Sequence, residues 1–420
     1  MTQMKVLISG GGIAGNALAF WLGKLGHDVT IVEWFPTLRT TGLQIDLRGH
    51  GVEVLKRMGL EQAFRSKSVP EQGSEIVNSA GVRQALFPAN RSGKGLQNFT
   101  TDWEIMRGDL CQLLYEECKD HTKYIFGTSI QSFEEKGNSI EIRFTNGKTD
   151  RFDLLVGADG IGSKTRKMMV GPDADDGFRP LRNIYIAYFT IPRPISAGEE
   201  YLATMYIAPG GRAVMLRRHS PDQMQVYLMC KNDSKRLKNS RRGDTREERA
   251  ALTDIFRGAG WVTEQVLVDM DRSDDFYLEH MGLVKLDAWS SGSVTLLGDA
   301  AYCPSANTGM GTSSAIVGAY VLAGEIGRHC KEGVDVKEGL AVALKAYEQT
   351  FRPFVDQVQK GLSEDSGAWA NLMPTTAFGI RVMCFVVWVM ALFRMNVIGR
   401  WLLREDVKWN LPEYKEILRK

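Results

Sequence analysis

The feature that most constrains this chain lies at its start, where an apolar run, Lys5-Val-Leu-Ile-Ser9, meets the turn Gly10-Gly-Gly12-Ile-Ala-Gly15. A helical pattern follows to Leu25, and a second run, Val29-Thr-Ile-Val32, ends on Glu33. Strand, glycine turn, helix and strand in that order make the first half of a doubly wound α/β unit. Gly10 permits the tight turn, Gly12 lets backbone approach a pyrophosphate, and Gly15 allows the helix to pack closely on the strand. The helix N-terminus turns its unpaired N–H groups toward the phosphate charge. Glu33, about 20 residues beyond the turn, can accept hydrogen bonds from a ribose 2′-hydroxyl. The unit predicts a dinucleotide site, with a merely structural turn as the rival reading. By itself it does not separate FAD from NAD, but Glu33 would repel the 2′-phosphate of NADP.

Two later segments repeat the strand-to-helix turn. Ser293-Val-Thr-Leu-Leu-Gly298-Asp299-Ala-Ala-Tyr302-Cys-Pro304 runs through Asn307-Thr308-Gly309-Met310-Gly311-Thr312 into a small-residue helix ending near Ile326. Asp299 can accept from a polyol hydroxyl, and the Gly309 to Thr312 amides can meet negative charge. The alternative is a plain turn in which Asp299 caps a helix. Between the two, Leu154-Leu-Val-Gly157-Ala-Asp159-Gly160-Ile-Gly162-Ser163-Lys-Thr-Arg166 is ambiguous, because Asp159 and Ser163 could simply cap the helix that follows.

At 420 residues the chain exceeds what one hydrophobic core usually supports, so interleaved domains are expected. The near-cancelling charge, net +2, gives no field that would recruit nucleic acid. Lys231 to Arg249 is locally basic, but its interspersed acids and lack of aromatics mark a solvated loop and helix start. The six cysteines lack metal-ligand spacing, which favours a reducing compartment. The first residues carry no secretory pattern, so a cytoplasmic protein is expected. Short β-like runs at Ile184 to Ile191, Ala203 to Tyr206 and Gln225 to Met229 predict a separate, mostly antiparallel sheet.

Phe378 to Leu403 is strongly apolar. Its uncharged run from Val382 to Phe393 covers only about 18 Å as helix, against a hydrocarbon core of about 30 Å. Arg381 and Arg394 bound that run, so a buried or interfacial helix is expected, with peripheral contact to a membrane or a partner as an added expectation.

Taken together, Gly10-x-Gly12-x-x-Gly15 with Glu33, Asp159-Gly160-x-x-Ser163-x-x-Arg166, and Gly298-Asp299 with Pro304 and Gly309-x-Gly311 resemble the three fingerprints of single-component, aromatic-hydroxylase-type (class A) flavoprotein monooxygenases. The resemblance runs from about residue 4 to residue 330 and includes Gly42-Leu-Gln-Ile-Asp46-Leu-Arg48 and Arg107-Gly-Asp109-Leu. It is closest to tetracycline-destructase-like and secondary-metabolite members. It implies non-covalent FAD, reduced by transient NAD(P)H, and a flavin C4a-hydroperoxide formed with dioxygen that transfers one oxygen atom. It also implies roles by position. Glu33 would hold the adenosine ribose, with Arg107 and Asp299 at the ribityl and phosphate region and Asp46 among the cofactor contacts. Asp159 and Arg166 would shape the turn near the pyrophosphate, Gly309, Met310 and Gly311 would meet the flavin ring, and Pro304 would stand at its edge.

Three positions depart from the commonest pattern: Tyr302 replaces a histidine, Thr312-Ser313 an asparagine, and Trp34 an arginine. Met205, Tyr206, Arg212, Met215 and Arg217 fall on the substrate sheet, and Met205, Arg212 and Met215 are the candidates to touch substrate. None of the histidines has metal spacing, and only His50, close after Asp46 and Arg48, is a candidate for chemistry.

The expected fold is therefore α/β, a Rossmann-type FAD-binding domain with an inserted β-sheet substrate domain and a C-terminal helical segment. The FAD domain is expected at 1–72, 101–178 and 277–360, the substrate domain at 73–100 and 179–276, and a helical cap at 361–420. The expected reaction is NAD(P)H- and O2-dependent hydroxylation or epoxidation of a small apolar metabolite. The rivals are a flavin oxidoreductase without oxygen insertion and a non-catalytic flavin-binding protein.

Overall fold

A computed structural model describes residues 2–89, 101–239, 244–362, 374–392 and 407–418. Its first unit is β1 (Lys5–Ser9), α1 (Ile13–Lys24) and β2 (Asp28–Glu33). β1 lies inside a six-stranded sheet, between Leu154–Gly157 and β2, with Thr122–Phe126 and Val294–Leu296 beyond them and Ser290–Ser291 as an antiparallel edge. Val6, Leu7 and Ile8 are completely buried, as a parallel sheet covered on both faces requires. α1 packs against the helices Arg107–Cys118 and Gly311–His329, so the three glycine turns named above converge at one end of this sheet.

The second sheet has seven strands in the order Tyr277–Val284, Phe178–Pro192, Gln223–Lys231, Arg212–Arg218, Leu202–Ala208, Gly73–Val77 and Arg83–Pro88. Only the Leu202–Ala208 and Gly73–Val77 pair is parallel. The strands are longer than the sequence pattern alone implied. Phe178–Pro192 continues through an irregularity between Pro180 and Tyr185, where Asn183 takes a φ of 56°. Register aligns Met205, Met215, Tyr227, Tyr188 and Tyr277 as one row across five strands. Because side chains alternate along each strand, Val214, Leu216, Val226 and Leu228 point the other way. They pack there with Leu252, Phe256, Val266 and Met270 of the helices Thr245–Phe256 and Thr263–Arg272.

A two-stranded ribbon, Gln44–Asp46 with Glu104–Met106, lies between the two sheets, and a three-stranded sheet spans 130–152. Neither was anticipated, since both are short and lack a distinctive apolar period. The Lys231 to Arg249 segment, expected as a solvated loop and helix start, carries the helix Lys235–Asn239 and the start of Thr245–Phe256, with Arg236 paired to Glu247 and Asp254.

The apolar C-terminal segment forms the helix Ala377–Leu392. It is two-faced: Met383 and Val387 turn toward the cleft between the sheets, while Phe378, Phe385 and Trp388 are exposed. The rest of the apolar run, 393–403, lies outside the described residues, and the end of the expected cap holds the short helix Lys415–Leu418. Among the described residues no helix is long and apolar enough to cross a membrane.

Candidate active site

A cleft of about 1770 Å³ runs from Glu33 and Trp34, past the Gly10–Gly12 turn, to the open face of the seven-stranded sheet. At its first end, Gly10 takes a φ of +113°, which the rarely used left-handed side of backbone space leaves to glycine. A β-carbon on Gly10 would stand 2.5 Å from the Ala158 carbonyl oxygen, and one on Gly15 would stand 2.1 Å from that of Gly10. Gly12 differs: a β-carbon there would meet only Arg107 Nη2, at 3.5 Å, so its bare face opens on the cleft. The first turn of α1 has no side-chain cap and no acidic residue, which leaves its N–H groups available to an anion.

Glu33 is buried beneath this turn. Its carboxylate accepts from the Gly11 N–H at 2.8 Å and from the Phe35 N–H at 3.0 Å, so it braces the loop as well as facing the cleft. Each oxygen keeps acceptor capacity for a ribose hydroxyl. Trp34 lies exposed against Phe35 at the cleft mouth, with ring centroids 4.1 Å apart.

Arg107 opens its helix with its own N–H on the Leu43 carbonyl at 2.9 Å, and its guanidinium points toward Gly12. Asp46 is paired with the fully buried Arg48, whose N–H donates to Ser313 Oγ at 2.8 Å. Ser313 therefore braces the ribbon, while its neighbour Thr312 lines the cleft.

Asp299 follows Gly298, which has a φ of 65°, and stands on the cleft wall with its side chain open to the cavity. Protein crowds the base of the cleft enough that burial raises its carboxyl above the ordinary value, against the opposing pull of the Cys303 contact and Arg107. Pro304, Gly309, Gly311 and Thr312 continue the wall, and the Gly311–His329 helix begins there without a side-chain cap. Met310 does not join them. Its side chain is buried in the core and its N–H donates to Thr308 Oγ1 at 3.1 Å. Tyr302 also turns inward, onto Trp289 and Phe351, so this departure from the family pattern alters core packing rather than the cleft.

The Asp159 turn stands on the cleft wall and is braced by its own side chains. Asp159 Oδ2 accepts from the Thr165 N–H at 3.0 Å and the Thr165 hydroxyl at 3.1 Å, and Oδ1 accepts from Ser163. Ser163 Oγ in turn caps the helix by accepting from the Arg166 N–H at 2.9 Å. Buried Arg166 then reaches the Ala300 carbonyl at 3.1 Å, tying this turn to the Asp299 loop.

On the sheet, Met205 and Met215 face the cleft, but Arg212 does not. It donates to the carbonyls of Pro209 and Ile255, at 2.8 and 3.0 Å, on the opposite face. The reason is parity: Arg212 and Met215 are three apart on one strand, and a strand's period of two sends them to opposite sides. Tyr206 is excluded in the same way, its hydroxyl donating to the Ala259 carbonyl at 2.7 Å. Counting by twos from Met215 reaches Arg217, and from Met229 it reaches Tyr227 and Gln225, all cleft residues. His50 packs on Trp409 and pairs with Glu53, away from the cleft lining.

One polar cluster interrupts the apolar wall. Arg217 donates to Glu71 at 2.8 and 2.9 Å and to Glu104 at 2.5 Å, and Gln44 donates to both carboxylates. Burial, then the Glu71 charge, raise the Glu104 carboxyl from its ordinary 4.5 to about 8, opposed by Arg217; Asp46 adds a smaller upward push. The folded protein thus binds this proton more tightly than the unfolded chain. The stability so contributed is complete below the unfolded value and is lost as pH rises through the folded one. Between about pH 5 and 9 the melting temperature is expected to fall, and to fall less in Glu104→Gln. Equal slopes in both proteins would mean that Glu104 is already ionised in the native state.

A family model described as an FAD binding domain matches residues 3–361. The FAD-dependent monooxygenase asL4 of Sarocladium schorii is 50% identical, with all of both chains covered. This chain belongs to the class A FAD-dependent monooxygenases. The flavin-dependent monooxygenase eupH of a Phoma species is 38% identical to this monooxygenase over 91% of each chain. The crystal structure of tetracycline destructase Tet(55) is 27% identical with a TM-score of 0.76, covering 98% of this chain and 99% of its own. The monooxygenase binds FAD, and the bare glycine face, the uncapped helix ends and the length of the cleft fit that cofactor.

Proposed function

We propose that this monooxygenase uses NAD(P)H and dioxygen to hydroxylate or epoxidise a small apolar metabolite, aromatic or polycyclic. The observation that carries this reading is the row Met205, Met215, Tyr227, Tyr188 and Tyr277, a broad apolar and aromatic floor continuous with the glycine turns. Such a surface suits a flat ring system, because aromatic faces and soft methionine side chains adapt to it without demanding many polar contacts. A relative named for destroying tetracycline supports a multi-ring ligand.

FAD, when bound and reduced, supplies the oxygen-activating chemistry. The protein's share is binding, orientation and exclusion of water. Gly10, Gly12 and the first turn of α1 would hold the pyrophosphate, with Gly15 keeping that turn closed and Glu33 holding the adenosine ribose. Arg107, Asp299 and the Asp46–Arg48 pair would hold the middle of the cofactor, Gly309 and Gly311 would offer amides to the ring, and Pro304 would flank it. Met310 would contribute from the core by fixing the turn. In this reading 1–72, 101–178 and 277–360 form the cofactor unit, 73–100 and 179–276 the substrate unit, and 361–420 the cap.

The test is turnover under labelled dioxygen with a panel of phenols and polyketides, following NAD(P)H consumption and product mass. One labelled oxygen atom in the product is expected. Substrate-dependent NAD(P)H oxidation giving unlabelled product would replace this reading with a dehydrogenase or reductase. NAD(P)H oxidation that answers to no compound in the panel would favour a non-catalytic flavin protein.

A further inference from the structure

Gln225 belongs to the substrate sheet, yet both ends of its carboxamide are engaged with the loop and ribbon beneath the cofactor arm. Its Oε1 accepts from the Gln44 N–H at 2.7 Å, and its Nε2 donates to the Gly42 carbonyl at 2.8 Å. The same short segment carries Arg107: the Arg107 N–H donates to the Leu43 carbonyl at 2.9 Å, and Met106 pairs with Gln44. The Arg107 side chain also lies directly on Gly42, where a β-carbon would stand 2.9 Å from Arg107 Cδ. Beyond it, the guanidinium faces Gly12. The neighbouring residue in register, Arg217, grips the other ribbon strand through Glu104. Gln225 is itself buried, so water does not compete for these bonds.

We propose that Gln225 is a positioning residue for the cofactor: from the substrate sheet it pins Gly42 to Gln44 and so holds Arg107 over the glycine turn. This rests on the reading of Arg107 as a cofactor contact given above. Arg107 has a long, flexible side chain, and fixing its base lowers the ordering cost when its head meets an anion. A side chain on the substrate sheet thereby sets affinity for the cofactor through Arg107.

The experiment is a double-mutant cycle on apoprotein, reading FAD Kd by flavin fluorescence and the fold by melting temperature. Gln225→Leu is expected to weaken FAD roughly tenfold in the parent and to have no further effect in an Arg107→Ala background. Gln225→Glu, which keeps the acceptor for Gln44 but not the donor for Gly42, is expected to fall between parent and Gln225→Leu, and it serves if the leucine variant does not fold. Gln223→Leu, exposed on the same strand and outside the cleft lining, is expected to leave FAD Kd unchanged. Equal weakening by Gln225→Leu in both backgrounds overturns the proposal, as does no weakening while Arg107→Ala itself weakens FAD. An Arg107→Ala protein that binds FAD like the parent instead overturns the reading of Arg107 on which the proposal stands.

Discussion

Gly15→Ala is expected to give a protein that purifies without flavin and melts well below the parent, whereas Gly12→Ala should keep the fold and lose flavin affinity. The two glycines share one motif but differ in what surrounds them. A β-carbon on Gly15 would lie 2.1 Å from a backbone oxygen in the same turn, so α1 must move off β1, at a cost on the order of 1–3 kcal/mol. Gly12 has ordinary backbone angles as the helix N-cap and only the tip of Arg107 before it. Alanine there is expected to cost at most about 1 kcal/mol of stability, while blocking backbone approach to the pyrophosphate and weakening FAD at least roughly tenfold. Melting curves with and without FAD, together with a fluorescence titration, check both. A Gly12→Ala protein with parental FAD affinity would show that the phosphates do not approach that face.

Arg166→Met is expected to destabilise the protein by about 2–4 kcal/mol and to lower flavin retention, although Arg166 is not itself in the cleft lining. Its guanidinium holds the Ala300 carbonyl at 3.1 Å, the Ile161 carbonyl at 2.7 Å and Asp176 at 3.2 Å, all in a fully enclosed position. Methionine fills a similar volume but leaves those carbonyls without a donor and frees the Asp299 loop from the Asp159 turn. Asp176→Asn, which keeps a hydrogen-bond acceptor, is expected to lose much less. The flavin-to-protein absorbance ratio and the melting temperature report the two effects separately. Loss of stability with full flavin retention would mean that the Asp299 loop holds its place without this tie.

The three glycine turns were legible because each is local: a strand end, a tight turn and a helix start depend on residues a few positions apart. Their convergence was legible only as an expectation, since nothing in the sequence fixes the distance between Arg166 and Ala300. The cleft face of the seven-stranded sheet was half legible. Met205 and Met215 were found, but Arg212 was placed beside them against the strand period, and Tyr188, Tyr227 and Tyr277 were missed. Those tyrosines enter the row only through cross-strand register, a property of paired strands that no single strand carries.

The sequence alone therefore determined the dinucleotide unit, because glycine at Gly10, Gly12 and Gly15 answers to steric limits within a few residues, and the order of the three turns carried the family resemblance that implied FAD. The tertiary structure decided which side chains share the cleft, that Asp159 braces its own turn while standing on the cleft wall, and that Gln225 and Arg217 reach from the seven-stranded sheet to the two-stranded ribbon. The reason is physical. Register, burial and hydrogen-bond partnership between distant segments come from packing the whole chain at once, and each is invisible until both partners are in place.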